Sequence, residues 1–266
     1  MEWALIIVVL LYVLAAVFAF WLLKSVVKAL LWVGAVGIIL VILLSFFVYK
    51  DVSDLRENWP VSQKLLLAEK DGKLVAGLVS SLSNAGVEPE FVTAEQLVSL
   101  QSSFNNKDFA SMIGDNYKLL IMDVDSVLAE VKAEQFSFGE MNVSRGDVVS
   151  ILESDDAFVV LVDRLMVDKS SDSKTRAQVE ADVVKSAGSQ EKVKAMAFGV
   201  LIAQLFSEKG PQAGLFVLKE FKSGGLVVYP ETAVFKTIKF VPGFVIDSAG
   251  KIVEKRMKGV VGNGNS

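Results

Sequence analysis

Two long apolar runs occupy the first fifth of this 266-residue chain. They extend over Trp3–Leu23 and Ala29–Tyr49, and neither contains a charged residue. Each run has 21 residues, which at a helical rise of about 1.5 Å per residue matches the roughly 30 Å hydrocarbon core of a bilayer. The sequence therefore predicts a membrane anchor of two transmembrane helices, with the lipid bilayer as a partner.

The two predicted spans are expected to form an uncleaved helical hairpin. No Lys or Arg precedes the first run, and the short segment Lys24–Lys28 leads directly into the second, which is not typical of a signal peptide. A connection of five residues suits a pair of antiparallel helices. Folding the chain at this loop places Ala15 opposite Gly37 and Ala19 near Gly34. Because small residues let membrane helices approach closely, these four positions are the predicted packing interface.

The polarity of the spans favours an anchor over a transporter. Neither run contains Asp, Glu, Lys, Arg, Asn or Gln, whereas ion and proton pathways usually need ionisable groups inside the membrane.

Basic residues near the spans predict the orientation. Lys24 and Lys28 lie in the connecting loop, which favours a cytoplasmic loop and a soluble domain outside the cytoplasm. Lys50 and Arg56 follow the second span and favour the opposite orientation, so that alternative stays open.

The rest of the chain divides into a juxtamembrane linker at 51–62, a soluble domain at 63–258 and a flexible tail at 259–266. The soluble part mixes apolar and charged residues as a folded domain does, and the whole chain has a net charge of −4. Since no dense Lys/Arg stripe is present, we expect no nucleic-acid partner.

Local patterns predict an α+β fold for the soluble domain. Asp71-Gly72 between Gln63–Glu69 and Lys73–Ser80 is typical of a β-hairpin, and Tyr117–Asp125 is predicted to be a buried strand. Further along the chain, we predict a helix capped by Thr93, another capped by Ser144, helices over 157–167, 174–187, 190–208 and 212–222, a strand at Leu226–Tyr229 and a last helix over 230–241. Strands cluster early and helices late, which favours α+β over a repeating β-α unit.

The chain contains neither His nor Cys. Their absence excludes Ser-His-Asp triads, cysteine nucleophiles, thiolate metal clusters and imidazole zinc sites. No glycine-rich phosphate-binding loop of the common types is present either. We therefore expect no cofactor and no metal site.

A D-x-D string is the one local motif with a chemical interpretation. Leu119–Leu128 (LLIMDVDSVL) resembles the first motif of the haloacid-dehalogenase-like phosphatases. The resemblance implies that Asp123 attacks phosphorus and Asp125 acts as acid and base, with Mg²⁺ screening the charge. If both residues alternate on a strand, they point to one side and could share a metal. Ser126 stands where the family more commonly has Gly, and the simpler interpretation is a core strand whose last Asp caps a turn.

The C-terminal part of the chain interleaves aromatic and basic residues. From Pro230 onward there are six basic and three acidic residues. Such a segment can lie on an anionic membrane surface, or it can be an amphipathic helix packed on the domain's own core. The candidate contact residues are Phe235, Lys236, Lys239, Phe240 and Phe244.

Taken together, the sequence predicts a membrane-anchored, non-enzymatic binding or scaffold protein whose ligand it does not identify. One alternative is a membrane-tethered, Mg²⁺-dependent phosphatase that uses Asp123 and Asp125. Another is a subunit of a larger membrane complex, in which the hairpin contacts a membrane-protein partner or a second copy of the chain.

Overall fold

The computed structural model describes residues 49–54, 57–59, 61–81, 89–138, 141–168, 175–246 and 248. The chain divides into two compact units, Met1–Ser53 and Asp54–Ser266, and the elements below belong to the second. Apart from Tyr49, the predicted spans lie outside the described residues, as do Ala15, Ala19, Gly34, Gly37 and the tail at 259–266. In the described ranges, no helix combines the length and the apolar character needed to cross a bilayer.

Seven strands form two sheets within the described part of the chain. They are β1 (Lys64–Lys70), β2 (Lys73–Ser80), β3 (Glu90–Phe91), β4 (Lys118–Asp123), β5 (Gln135–Phe138), β6 (Met141–Ser144) and β7 (Leu226–Tyr229). The main sheet has the order β3-β2-β1-β4-β7, and β5 pairs with β6 in a separate antiparallel hairpin. In the main sheet β1 and β4 run parallel, with Leu65 opposite Leu119, whereas the other neighbours are antiparallel.

Helices cover both faces of the main sheet. They are α1 (Ala94–Asn105), α2 (Phe109–Ile113), α3 (Val124–Glu130), α4 (Arg145–Glu153), α5 (Ala157–Asp168), α6 (Arg176–Ala187), α7 (Gln190–Lys209), α8 (Ala213–Ser223) and α9 (Ala233–Ile238). A mixed sheet with helices confirms the α+β class predicted for the part of the chain that follows the apolar runs.

The period of two along the strands sends alternate side chains to two separate cores. Leu119 and Ile121 of β4 face α1 and α2 in a smaller core. Leu120 and Met122 face the other way, into a larger core built with α3 to α9 and the β5–β6 hairpin. The longest helix, α7, lies against β2 in that core. The β4 sequence is apolar on both faces because both are covered.

The local signals for turns and helix starts are confirmed at several positions. Asp71 and Gly72 have φ values of 51° and 79°, as a tight two-residue hairpin turn requires. Thr93 and Gln96 form a capping box at the start of α1, and Ser144 and Asp147 form another at the start of α4. These reciprocal hydrogen bonds satisfy backbone N–H groups that a helix N-terminus leaves unpaired.

The last predicted helix is shorter than expected. The sequence predicts Pro230 in its first turn, but the backbone is still extended at Thr232, with φ −82° and ψ 175°. The helix α9 therefore begins at Ala233, and it ends at Ile238 instead of continuing to Val241.

Candidate functional site

The carboxyl ends of the parallel strands β1 and β4 form the candidate site. The chain reaches β4 through α1 and α2 on one face of the sheet and leaves it through α3 on the other. In open α/β sheets, ligands bind where helices diverge to opposite faces beyond the carboxyl ends of parallel strands. This edge carries Glu69 and Asp123, which are register partners on β1 and β4.

Asp123 joins the end of β4 to the start of α3. Its Oδ1 accepts a hydrogen bond of 2.6 Å from the backbone N–H of Ser126, so it is the N-cap of that helix. Its own backbone N–H donates to the carbonyl oxygen of Gly225, 2.9 Å away. Val124 and Val127 of α3 are buried, which fixes the helix against the larger core. The carboxylate thus has a structural role at this position.

The sequence prediction that Asp125 lies on the strand is wrong. The strand ends at Asp123 and helix begins at Val124, so Asp125 lies in the first turn of α3. The N-cap hydrogen bond competes with a longer strand, because it stabilises a helical turn directly after Asp123. The two carboxylates are therefore not on one side of a strand, and the geometric argument for a shared metal does not hold.

Asp125 instead belongs to an ionic cluster that we call the Lys70 cluster, made of Lys70, Asp125 and Glu153. Lys70 Nζ lies 2.6 Å from Asp125 Oδ1 and 2.9 Å from Glu153 Oε1. Hydrogen bonds to two carboxylates raise the pKa of the Lys70 ammonium, and the one to Asp125 has the larger effect. The lysine side chain is 16% exposed, whereas that of Asp125 is 62% exposed. The cluster ties the end of β1 to α3 and α4.

A second polar group joins α3 to α8. Glu220 of α8 is only 8% exposed, and its carboxylate hydrogen-bonds with Ser126 and Ser223. Burial, followed by repulsion from Glu130, raises the pKa of Glu220. Glu130 is held by Lys209 at 2.5 Å, and this contact is the largest of the causes that lower the pKa of Glu130. Local sequence patterns do not single out Glu220 or Glu130, because Ser126 and Lys209, which contact them, are distant in the sequence.

The acidic residues of this region do not form a metal centre. Within the ranges that the structure describes, no group of three or more Asp, Glu, His or Cys side chains is arranged so that it could hold a metal ion. The carboxylates of Asp125 and Glu153 are both paired with the ammonium of Lys70.

An open groove lies between the β1–β2 turn and α1. Its volume is about 590 Å³, and its walls include Gly72, Leu74, Val98 and Gln101.

The side-chain amide of Gln101 hydrogen-bonds with the backbone at the start of β2. Its Oε1 accepts from Leu74 N at 2.6 Å, and its Nε2 donates to the Gly72 carbonyl at 3.1 Å. These bonds occupy backbone groups that an added strand would need, so Gln101 protects this edge from pairing with another chain.

The C-terminal candidates separate into buried and exposed residues. Phe235 is 3% exposed and packs edge-to-face on Phe221, with ring centroids 4.9 Å apart, so it belongs to the core. Phe240 and Phe244 are 87% and 71% exposed. Lys236 is exposed, and Lys239 Nζ lies 2.7 Å from a carboxylate oxygen of Glu231.

Comparisons of this chain with protein families, with curated proteins and with solved structures find no match. The geometry of the described residues and the pattern of the sequence therefore carry the functional argument.

Proposed function

We propose that this chain is a membrane-anchored binding or scaffold protein whose α+β domain is not an enzyme. The two apolar runs at Trp3–Leu23 and Ala29–Tyr49 support the anchor. The proposal that the domain is not an enzyme rests on one observation: both carboxylates of the D-x-D string make structural contacts. Asp123 caps α3, and Asp125 is paired with Lys70.

A phosphatase reaction would place further demands on the same two carboxylates. An aspartyl nucleophile must present a carboxylate oxygen to phosphorus, and a metal must lie beside it to screen charge. Asp123 Oδ1 is engaged by a backbone N–H at 2.6 Å, and Asp125 Oδ1 is engaged by an ammonium at 2.6 Å. Asp123 would have to attack through its second carboxylate oxygen while the first keeps the cap of α3, and Asp125 would have to share or give up its contact with Lys70.

Two observations favour the phosphatase alternative. Asp123 ends a strand of the parallel pair, at the edge where ligands bind in related architectures. Lys70, which could neutralise a phosphate, is close to Asp125 there. The alternative of a subunit in a larger membrane complex rests on the anchor alone. Crosslinking in native membranes tests it, because a stable complex would give a discrete larger species.

A hydrolysis assay separates the binding protein from the phosphatase. The full-length chain in lipid vesicles would be offered a phosphate monoester with Mg²⁺, beside Asp123→Asn and the control Asp115→Asn, which changes an exposed Asp away from the site. We expect no Mg²⁺-dependent hydrolysis by any of the three. Because Asn is also a good N-cap, Asp123→Asn should melt close to the parent protein.

Mg²⁺-dependent hydrolysis that requires Asp123 would contradict the proposal. Hydrolysis by the parent and by Asp115→Asn that disappears in Asp123→Asn, with no fall in melting temperature, would overturn the proposal and support the phosphatase.

A further inference from the structure

We propose that the segment Phe240–Val245 is a second membrane contact, which inserts its exposed phenyl rings into the interface of an anionic bilayer. We call these residues the aromatic turn. The proposal rests on the proposed membrane anchoring and adds a surface of the α+β domain to it.

The aromatic turn exposes apolar side chains that the rest of its neighbourhood buries. Phe240 is 87% exposed, Phe244 71% and Val245 42%, all within six residues. A few residues earlier, Phe235 is buried against Phe221. Scattered exposed apolar residues are ordinary, but several large ones in one short segment indicate an interaction surface.

The backbone that carries these exposed side chains is hydrogen-bonded. Phe240 N donates to the Thr237 carbonyl at 3.0 Å, and Val245 N donates to the Pro242 carbonyl at 3.0 Å. The Lys222 ammonium also donates to the Val241 carbonyl, which ties the segment to the end of α8. The backbone of the segment is thus held by hydrogen bonds, while both phenyl rings remain exposed.

The charge of the region favours an anionic lipid surface. Six basic and three acidic residues lie at 230–266, although the whole chain has a net charge of −4. Lys236 is exposed four residues before Phe240, and Lys251, Lys255, Arg256 and Lys258 follow in the sequence. Aromatic side chains flanked by lysines are the composition that interfacial segments use: the rings enter the headgroup region and the ammonium groups meet lipid phosphates.

The predicted anchor keeps a bilayer within reach. Residues 50–63 connect the second apolar run to β1, and a chain of this length spans at most about 50 Å when fully extended. The proposed anchor thus brings a membrane surface within reach of the domain.

The absence of cysteine from the chain allows a clean test. Phe240→Cys and Phe244→Cys would be labelled with a polarity-sensitive fluorophore in the full-length protein. Val98→Cys is the matched control, because Val98 is 73% exposed on α1. The labelled proteins would be placed in phosphatidylcholine vesicles with and without phosphatidylglycerol, each carrying a quencher on the lipid headgroup or high on the acyl chain.

We expect labels at 240 and 244 to be quenched several-fold more than the label at 98. The difference should be larger with phosphatidylglycerol and smaller at high salt, because salt screens the attraction to anionic lipid. Equal quenching at all three positions would overturn the proposal. A blue-shifted label at 240 without lipid quenching would also overturn it, since the rings would then be covered by protein.

A carbonate wash of the same vesicles reports separately on the anchor. Release of the chain by carbonate would contradict the proposed anchoring, and the quenching before the wash would still show whether the aromatic turn binds lipid. Retention of the chain with unquenched labels would contradict only the aromatic turn.

Discussion

Two lysines are buried side by side at the amino-terminal edge of the parallel strands. Lys64 of β1 and Lys118 of β4 are register partners, and each is only 2% exposed. Lys64 Nζ donates to the Ser62 carbonyl at 2.7 Å and lies 5.4 Å from the centroid of the Trp59 ring. Lys118 Nζ donates to the Pro230 carbonyl at 2.9 Å. Burial lowers the pKa of Lys64 to about 8.

This burial makes stability depend on pH through Lys64. The unfolded chain keeps the lysine proton up to about pH 10.5, whereas the folded protein releases it near pH 8. Below pH 8 the lysine is charged in both states, so its burial cost is fully present. Between pH 8 and 10.5 the unfolded state holds more protons, so the contribution of Lys64 to stability rises with pH.

Replacing Lys64 by methionine should remove that cost. We expect Lys64→Met to raise the free energy of unfolding at pH 7 by up to about 3 kcal/mol, since each pKa unit corresponds to about 1.4 kcal/mol. The gain should shrink steadily above pH 8. Urea unfolding at several pH values measures it, with the exposed Lys73→Met as control. The same pH dependence in parent and variant would contradict the burial argument.

At the scale of elements, the sequence predicts the strands and helices that are bounded by a recognisable turn or helix cap. The β1–β2 hairpin follows from Asp71-Gly72, and α1 follows from the Thr93 cap. The strand β3 has two residues, too few for a pattern. The sequence does not predict α3, because the apolar run of β4 continues across the start of this helix. The boundary between strand and helix lies at Asp123, whose side chain caps α3.

A glycine in β2 shows how closely the smaller core is packed. A Cβ at Gly77 would lie 2.7 Å from Leu67 Cδ2 and 2.7 Å from Val92 Cγ2. Both neighbours are buried, at 0% and 5% exposed. We expect Gly77→Ala to destabilise the domain by about 1–3 kcal/mol, the usual cost of overpacking a core.

Gly214→Ala is the matched control for this substitution. Gly214 lies in α8, and a Cβ there would meet no atom within 4 Å. Because alanine favours helix, the change should be neutral or stabilising by up to about 1 kcal/mol. Thermal unfolding of both variants checks the pair, and equal effects would show that β2 can shift to accept the extra methyl group.

At the scale of the whole molecule, the α+β class follows from the order of apolar segments, but the Lys70 cluster does not. Lys70 and Asp125 are 55 residues apart in the sequence, and they meet because β1 and β4 pair in parallel. The sequence identified Asp123 and Asp125 but assigned the second to the strand. Local patterns define elements, whereas a site depends on which distant elements become neighbours.

The orientation of the chain in the membrane is a separate prediction. Lys24 and Lys28 in the connecting loop favour a soluble domain outside the cytoplasm. Two reporters fused after Ser266, one active only inside the cell and one only outside, decide between the orientations. We expect a signal from the external reporter. A signal from the cytoplasmic reporter alone would mean that Lys50 and Arg56 outweigh the loop lysines.

Carbonate extraction of membranes tests the central claim, that residues 1–50 anchor a folded domain. The full-length chain is compared with a chain that begins at Asp51, which keeps the 2.6 Å hydrogen bond from the Tyr117 hydroxyl to Asp54. We predict that the full-length protein stays in the washed membranes and that the shortened protein is recovered folded in the supernatant, because the uninterrupted apolar runs end at Tyr49. Equal retention of both proteins, or release of the full-length chain by carbonate, would contradict the account.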